Sequence, residues 1–343
     1  MAALAKTQRF KVWSSPEPDS LQTKKSPSAR NAASVVMVGG RKVTVSDVAR
    51  VAILKYSVTL DVTTIEKIDQ DLASSKDLVQ ICIPELKAVA YNDSVVYDVS
   101  FCRAVIFARI VSLMQCRSAV RSVIIELLVE LLEANIVPNF SSPDMAGLEL
   151  CAFLTAVGGS CYMDGVIMHC KSAFEMSGLN PVGLTSFELS TLKLGQFWST
   201  GCTCLIAAGA ANMAGMMDCI SALSCDTFGA SVEPFDATNF DTCRQHRGQI
   251  ASATNLRLLL EGSKRTNSSS IESAFGSVPQ INGPSQESVS SSVKYVTILV
   301  LSIGFPMNEI TNLIFCNVLQ NFCRLHYFLH LFFLYVSVAD LIF

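Results

Sequence analysis

The sequence predicts a mainly α-helical protein, and three observations carry that prediction. Apolar residues recur at helical spacing through long segments after residue 47. Strand signals are few after residue 45. Half of the 343 residues are hydrophobic and 16% are charged, against about 25% charged in an ordinary soluble chain, so a large core can be buried. The net charge of −3 gives no electrostatic reason to bind nucleic acid. Thirteen cysteines, an odd number without regular spacing, point to reduced thiols in the cytoplasm over a disulfide framework.

Residues 1–33 are polar, with Ser and Pro and no apolar run, and read as a disordered tail without a signal peptide. Residues 34–45 (SVVMVGGRKVTV) read as a small hairpin turning at Gly39-Gly40. Ser46 is a good N-cap for a helix over 47–56, with Asp47 in its first turn. VTTIEKIDQDLASSKDLVQ follows at helical spacing. Residues 101–136 carry Arg103, Arg109, Arg117 and Arg121 in an apolar–basic half, then Glu126, Glu130 and Glu133 in an apolar–acidic half. Their second half reads as a strongly periodic helix ended by Asn135 and Pro138. Further helices are expected over 143–160, 190–230 and 247–261. Residues 263–292, rich in Ser, Asn, Gly and Pro, read as a loop.

Leu194 to Met217 contains no Asp, Glu, Lys or Arg, which is long enough to test as a membrane span. Its middle is Gly and Ala, which suits a closely packed core helix. The tail from His326 to Phe343 is also apolar. Cys202-x-Cys204 lacks zinc spacing, and His326 and His330 lack a third ligand, so no metal site is assigned.

Four blocks resemble the aromatic amino-acid ammonia-lyases, the family of histidine and phenylalanine ammonia-lyase. They are VVMVGGRKVTVSDVARVA (35–52), the 103–138 stretch, GLNPVGLTSFELSTLKLGQFWSTG (178–201) running on to PFDATNFDTCRQHRGQIASATNLRLLLEGS (234–263), and VPQINGPSQES to MNEITNLIF (278–315). They occur in the family's order and cover most of residues 34–315. The resemblance implies a long-helix bundle of the aspartase/fumarase-like type. It implies an ammonia-lyase-like core over 34–262, with internal deletions near 98–102 and 139–144. A loop at 263–292 follows, then a further helix at 293–315 and a divergent apolar tail at 316–343, with the family's C-terminal part missing. It also implies a homotetramer, an aromatic amino-acid substrate, and the electrophile 4-methylideneimidazole-5-one (MIO). That group forms from an Ala-Ser-Gly when the Gly nitrogen attacks the Ala carbonyl and two waters leave.

By the same resemblance Tyr97 matches the family's catalytic base, Ser142 the methylene precursor, and Gln196, His246 and Gln249 substrate-binding positions. The sequence departs from the pattern around them. The Gly-rich loop after the Tyr is absent. Ser141-Ser142-Pro143-Asp144 falls on Ala-Ser-Gly-Asp, so a proline without an N–H replaces the glycine. The alternative alignment on Met145-Ala146-Gly147 loses the serine. The Asn expected before Gln196 is gone. The carboxylate-gripping Arg falls on Gly276 and its neighbouring Tyr on Ser273, with Lys264 and Arg265 upstream. HRGQI leans to histidine and LLEGS with PQINGP to phenylalanine. The expectation is an inactive lyase relative, the pattern of an incompletely spliced product or a truncated pseudoenzyme. The alternatives are a non-catalytic partner of lyase oligomers, and a membrane protein with spans near 194–217, 293–305 and 326–343.

Overall fold

A computed structural model describes residues 34–73, 89–94, 97–115, 120–243, 246–267 and 275–301. The tails 1–33 and 302–343, with His326 and His330, and also Arg117 and Ser273 lie outside the described residues. The chain divides into two units. Among the described residues one holds residues 34–206 and resumes at Tyr295, and the other holds 207–294. Both are mainly helical, as the sequence predicts.

The first unit opens with β1 (Val35–Val38), α1 (Val45–Ile53) and β2 (Ser57–Leu60). The expected hairpin is corrected here: β1 pairs with β2 in parallel, Val35 opposite Ser57 and Val38 opposite Leu60, and α1 is the crossover. Gly39 and Gly40 have φ of +92° and +61°, but they do not return the chain to β1. A Cβ on Gly39 would lie 2.8 Å from the Cβ of Asp61, so the glycine is needed where the end of β2 comes close. The cap is corrected too. Thr44, not Ser46, caps α1: its Oγ1 accepts from the Asp47 amide at 3.3 Å, and the Asp47 carboxylate accepts from the Thr44 amide at 3.0 Å.

α2 (Val62–Ala73) leads toward the centre, which is α3 (Val99–Gln115). Residues 102–114 of α3 are buried on every face, the pattern of a central helix. Its two arginines are buried as well. Arg103 donates to Val51 O in α1 and to Leu132 O in α4 (Ser122–Glu133). Arg109 donates to Thr191 O, near the end of α7 (Ser186–Lys193), and stacks on Phe197 with its guanidinium carbon 4.9 Å from the ring centre. Each cation sits among carbonyls at helix C-termini, where the backbone dipole favours positive charge.

α4 ends at Asn135, whose φ is +55°, and the chain enters a three-stranded antiparallel sheet of β3 (Ile136–Pro138), β4 (Ser160–Met163) and β5 (Val166–His169). This sheet corrects the expectation of few strands. Its signal was present: Asp164-Gly165, with φ of +48° and +87°, is a two-residue hairpin turn between two apolar runs. α5 (Ala146–Leu154) is shorter than the 143–160 expected, because Ala156 and Gly159 at φ +51° and +82° turn the chain into β4. α6 (Cys170–Ser177) follows β5.

α8 (Phe197–Phe228) is the longest helix among the described residues. From Phe197 on, the uncharged stretch is one helix, as expected; Gly195 at φ +97° separates it from α7. The 186–228 segment holds one window, of mean hydropathy 1.3, long and apolar enough to cross a membrane. In the first unit, however, α8 lies against α3 at backbone distance: a Cβ on Gly201 would fall 2.7 Å from the backbone of Val105.

The second unit contains the rest of α8, α9 (Arg247–Leu260) and α10 (Val278–Leu301) as far as Lys294. α9 falls where expected. α10 corrects the expected loop at 263–292, since its second half is helical. The Ser hydroxyls that suggest a loop are absorbed by the helix: Ser285 and Ser292 donate to the carbonyls of Ile281 and Ser288. Asp218 of α8, 2% exposed, accepts from Ser252 (2.6 Å), Asn255 (2.9 Å), Asn282 (2.9 Å) and Gln286 (3.0 Å).

Candidate active site

Tyr97, Ser141 and Ser142 come to one region of the first unit. Tyr97 immediately precedes the Asp98 that receives the first turn of α3 through the Ser100 amide at 3.1 Å. Its main-chain oxygen accepts from the Tyr162 hydroxyl of β4 at 3.1 Å. Its ring meets Trp198 edge-on, with centroids 5.3 Å apart. Asn139 holds residues 92–94, its Nδ2 donating to the carbonyls of Asn92 and Ser94 at 3.1 Å each.

Ser141 is pinned by Glu149 in the first turn of α5. Its amide lies 3.1 Å from both carboxylate oxygens, and its hydroxyl donates to Glu149 as well. Ser142 Oγ accepts from the Met145 amide at 3.3 Å, as a cap on the turn into α5. Pro143 and Asp144 are exposed in that turn.

Burial dominates the electrostatics. It raises the Tyr97 phenol, and Cys202, Cys102 and Glu149 raise it further. It raises the Glu149 carboxyl against the two Ser141 hydrogen bonds. It pushes the Cys102 and Cys202 thiols up to about 12. A phenol, a carboxyl and two thiols thus share a poorly hydrated region that favours their neutral forms. Such groups can hold or pass a proton.

The other family positions are placed as follows. Gln196 precedes α8, its carbonyl accepting from the Thr200 amide and hydroxyl at 2.9 Å each. Trp198, which touches Tyr97, lies two residues further on. Lys193, in the place of the expected Asn, is half-buried at the end of α7. A Cβ on Gly147 would lie 2.8 Å from the Lys193 Cα, so α5 meets the end of α7 at backbone distance.

His246 and Gln249 belong to the second unit. His246 stands at the N-cap of α9 with Nε2 3.4 Å from Glu287 Oε2. Glu287 also accepts from the Gly248 amide at 2.7 Å. Gln249 contributes its backbone to a glycine crossing: a Cβ on Gly283 would fall 2.5 Å from the Gln249 nitrogen. At Gly276 a Cβ would already lie 3.2 Å from the Pro234 ring, so a long cationic side chain there would have to displace that proline.

Sequence reasoning missed Glu149, Trp198, Asn139 and the Cys102–Cys202 pair. The one signal available was Glu149 itself, an acid in the first turn of an otherwise apolar helix.

Comparison with known proteins fits this geometry. The histidine ammonia-lyase of Streptococcus sanguinis (strain SK36) is 29% identical over 213 residues, covering 59% of this chain and 41% of that protein. The histidine ammonia-lyase of Streptococcus pyogenes serotype M6 is 26% identical over 310 residues, covering 78% and 60%. The chain therefore spans between about two fifths and three fifths of these relatives' length. Tyrosine aminomutase from Streptomyces globisporus superposes with a TM-score of 0.68 at 21% identity, over 79% of this chain and 62% of that one. Phenylalanine ammonia-lyase from Rhodosporidium toruloides gives 0.67 at 21%, over 79% and 47%. These structural likenesses establish the fold. Residues 85–303 match the sequence model of the aromatic amino acid lyases, and with the helical core and the ordered motifs they show that the chain belongs to the aromatic amino acid lyase family.

Proposed function

We propose that this chain is a non-catalytic member of the family. Its relatives are named as ammonia-lyases of histidine and of phenylalanine; on this reading the chain deaminates neither. One observation carries the reading: Pro143 occupies the turn where the electrophile would form. Closing the MIO ring requires the nitrogen of residue 143 to lose its hydrogen as it attacks the carbonyl of residue 141. Proline has none. Ser141 stands where the pattern has Ala, tied by its amide and hydroxyl to Glu149. The residues present do not fit the group.

The reading extends to assembly. On the outer face of α8, Met216 is 56% and Leu223 68% exposed, with Cys219 also exposed between them. An uncharged stripe of this kind supports pairing with a second copy or with a full-length lyase subunit, in a homotetramer-like arrangement. The nine described cysteines are all free thiols, which supports a reducing, cytoplasmic setting.

The test is intact-mass spectrometry of the purified chain together with product assays. The mass of the unmodified sequence is expected, with no urocanate from L-histidine and no cinnamate from L-phenylalanine. Loss of two waters, or formation of either product, overturns the reading.

A further inference from the structure

A cavity of about 220 Å³ opens beside β2 in the first unit, and neither Tyr97 nor Ser142 lines it. Lys55, Tyr56, Arg103, Glu133 and Asn135 are among the residues that line it. Arg103 is 3% exposed. Its Nε and Nη2 donate to Val51 O at 3.2 and 3.1 Å, and its Nη1 to Leu132 O at 2.8 Å and to Asn135 Oδ1 at 3.1 Å. A guanidinium carries five N–H groups. These four bonds leave one Nη2 hydrogen without an acceptor among the described residues. The Arg103 guanidinium borders the cavity.

Lys55 supplies the second observation. It is exposed and makes no ion pair among the described residues. Its φ is +54°, in the left-handed region where Gly and Asn are the ordinary residues. Asn135, also on the cavity, stands at +55°, the ordinary left-handed turn that ends α4. The lining carries two cations, Lys55 and Arg103, against one carboxylate, Glu133. The C-terminus of α4 brings partial negative charge to the same walls. That balance suits one negative charge and opposes a second. The volume, about seven times the share of one liquid water, fits a molecule of amino-acid size.

We propose that this cavity binds a small monocarboxylate, held by the Lys55 ammonium and the free Nη2 hydrogen of Arg103. Charge-assisted hydrogen bonds of this kind are the strong ones.

The experiment is calorimetric titration of the full chain with sodium acetate, L-alanine and inorganic phosphate, at matched ionic strength. Saturable one-site binding of acetate or L-alanine is expected, with phosphate weaker. Lys55→Met is expected to weaken it by about tenfold or more, the scale of one charge-assisted bond, and Lys55→Arg to retain it. Lys55 is a surface residue, so both variants are expected to keep the parent's circular dichroism. No saturable binding, tightest binding of phosphate, or a Lys55→Met variant that binds like the parent overturns the proposal.

Discussion

Single residues decide both the chemistry and much of the stability. Ser141 and Pro143 are the two departures from Ala-Ser-Gly, so restoring both is the direct test of their role. The double variant Ser141→Ala with Pro143→Gly is expected to lose two waters in its intact mass, while Ser141→Ala alone stays unmodified because Pro143 remains. Asp218 is the corresponding residue for stability. Four side-chain donors converge on its buried carboxylate, and truncation leaves all four without it. Hydrogen bonds to charged groups contribute about 1.5–3 kcal/mol each and unmet donors add a penalty. Asp218→Ala is therefore expected to cost about 3 kcal/mol or more, read from the midpoint of urea unfolding.

Elements meet at a few points that tolerate little change. The α3–α8 crossing depends on Gly201, where a Cβ would enter the Val105 backbone. Gly201→Ala is expected to cost about 1–3 kcal/mol, the range for overpacking, visible as a lowered melting temperature. α7 is fixed by a capping box between Thr185 and Glu188 and by a two-point pair from Arg121 to Glu188, at 2.7 and 2.9 Å. Burial raises the Glu188 carboxyl, but the Arg121 and backbone hydrogen bonds outweigh it, so the group titrates below its ordinary 4.5. A depressed folded value stabilises above the unfolded one. That contribution is present at neutral pH and lost as pH falls through the folded value. The melting temperature is expected to fall on acidification below 4.5, and less steeply in Arg121→Met.

These same elements show what the sequence could reveal. The periodicity of α4 and α9 was legible because each buries one stripe. The parallel β1–β2 pair was not, because strand partners are set by how closely Asp61 approaches Gly39, a long-range fact. α10 was hidden by its serines, whose hydroxyls turn back onto the helix's own carbonyls. Arg103 and Arg109 read as part of an apolar–basic stretch, and only the fold shows them buried against helix ends. Tyr97 and Ser142 were matched to the family pattern by motif, but the Glu149 that restrains Ser141 had no motif to announce it.

At the scale of the whole molecule, the α8 stripe argues for assembly. Purified chain is expected to elute as an oligomer in size exclusion, and Leu223→Lys with Met216→Lys to shift it toward smaller species without changing its circular dichroism. Elution of the parent as a monomer counts against that role. The Asp164-Gly165 turn bears on any such work. Both residues are exposed, and a Cβ on Gly165 would meet nothing within 4 Å. An epitope or a fluorophore spliced in there would project into solvent from the end of a hairpin, giving a reporter of assembly that leaves the packed helices as they are.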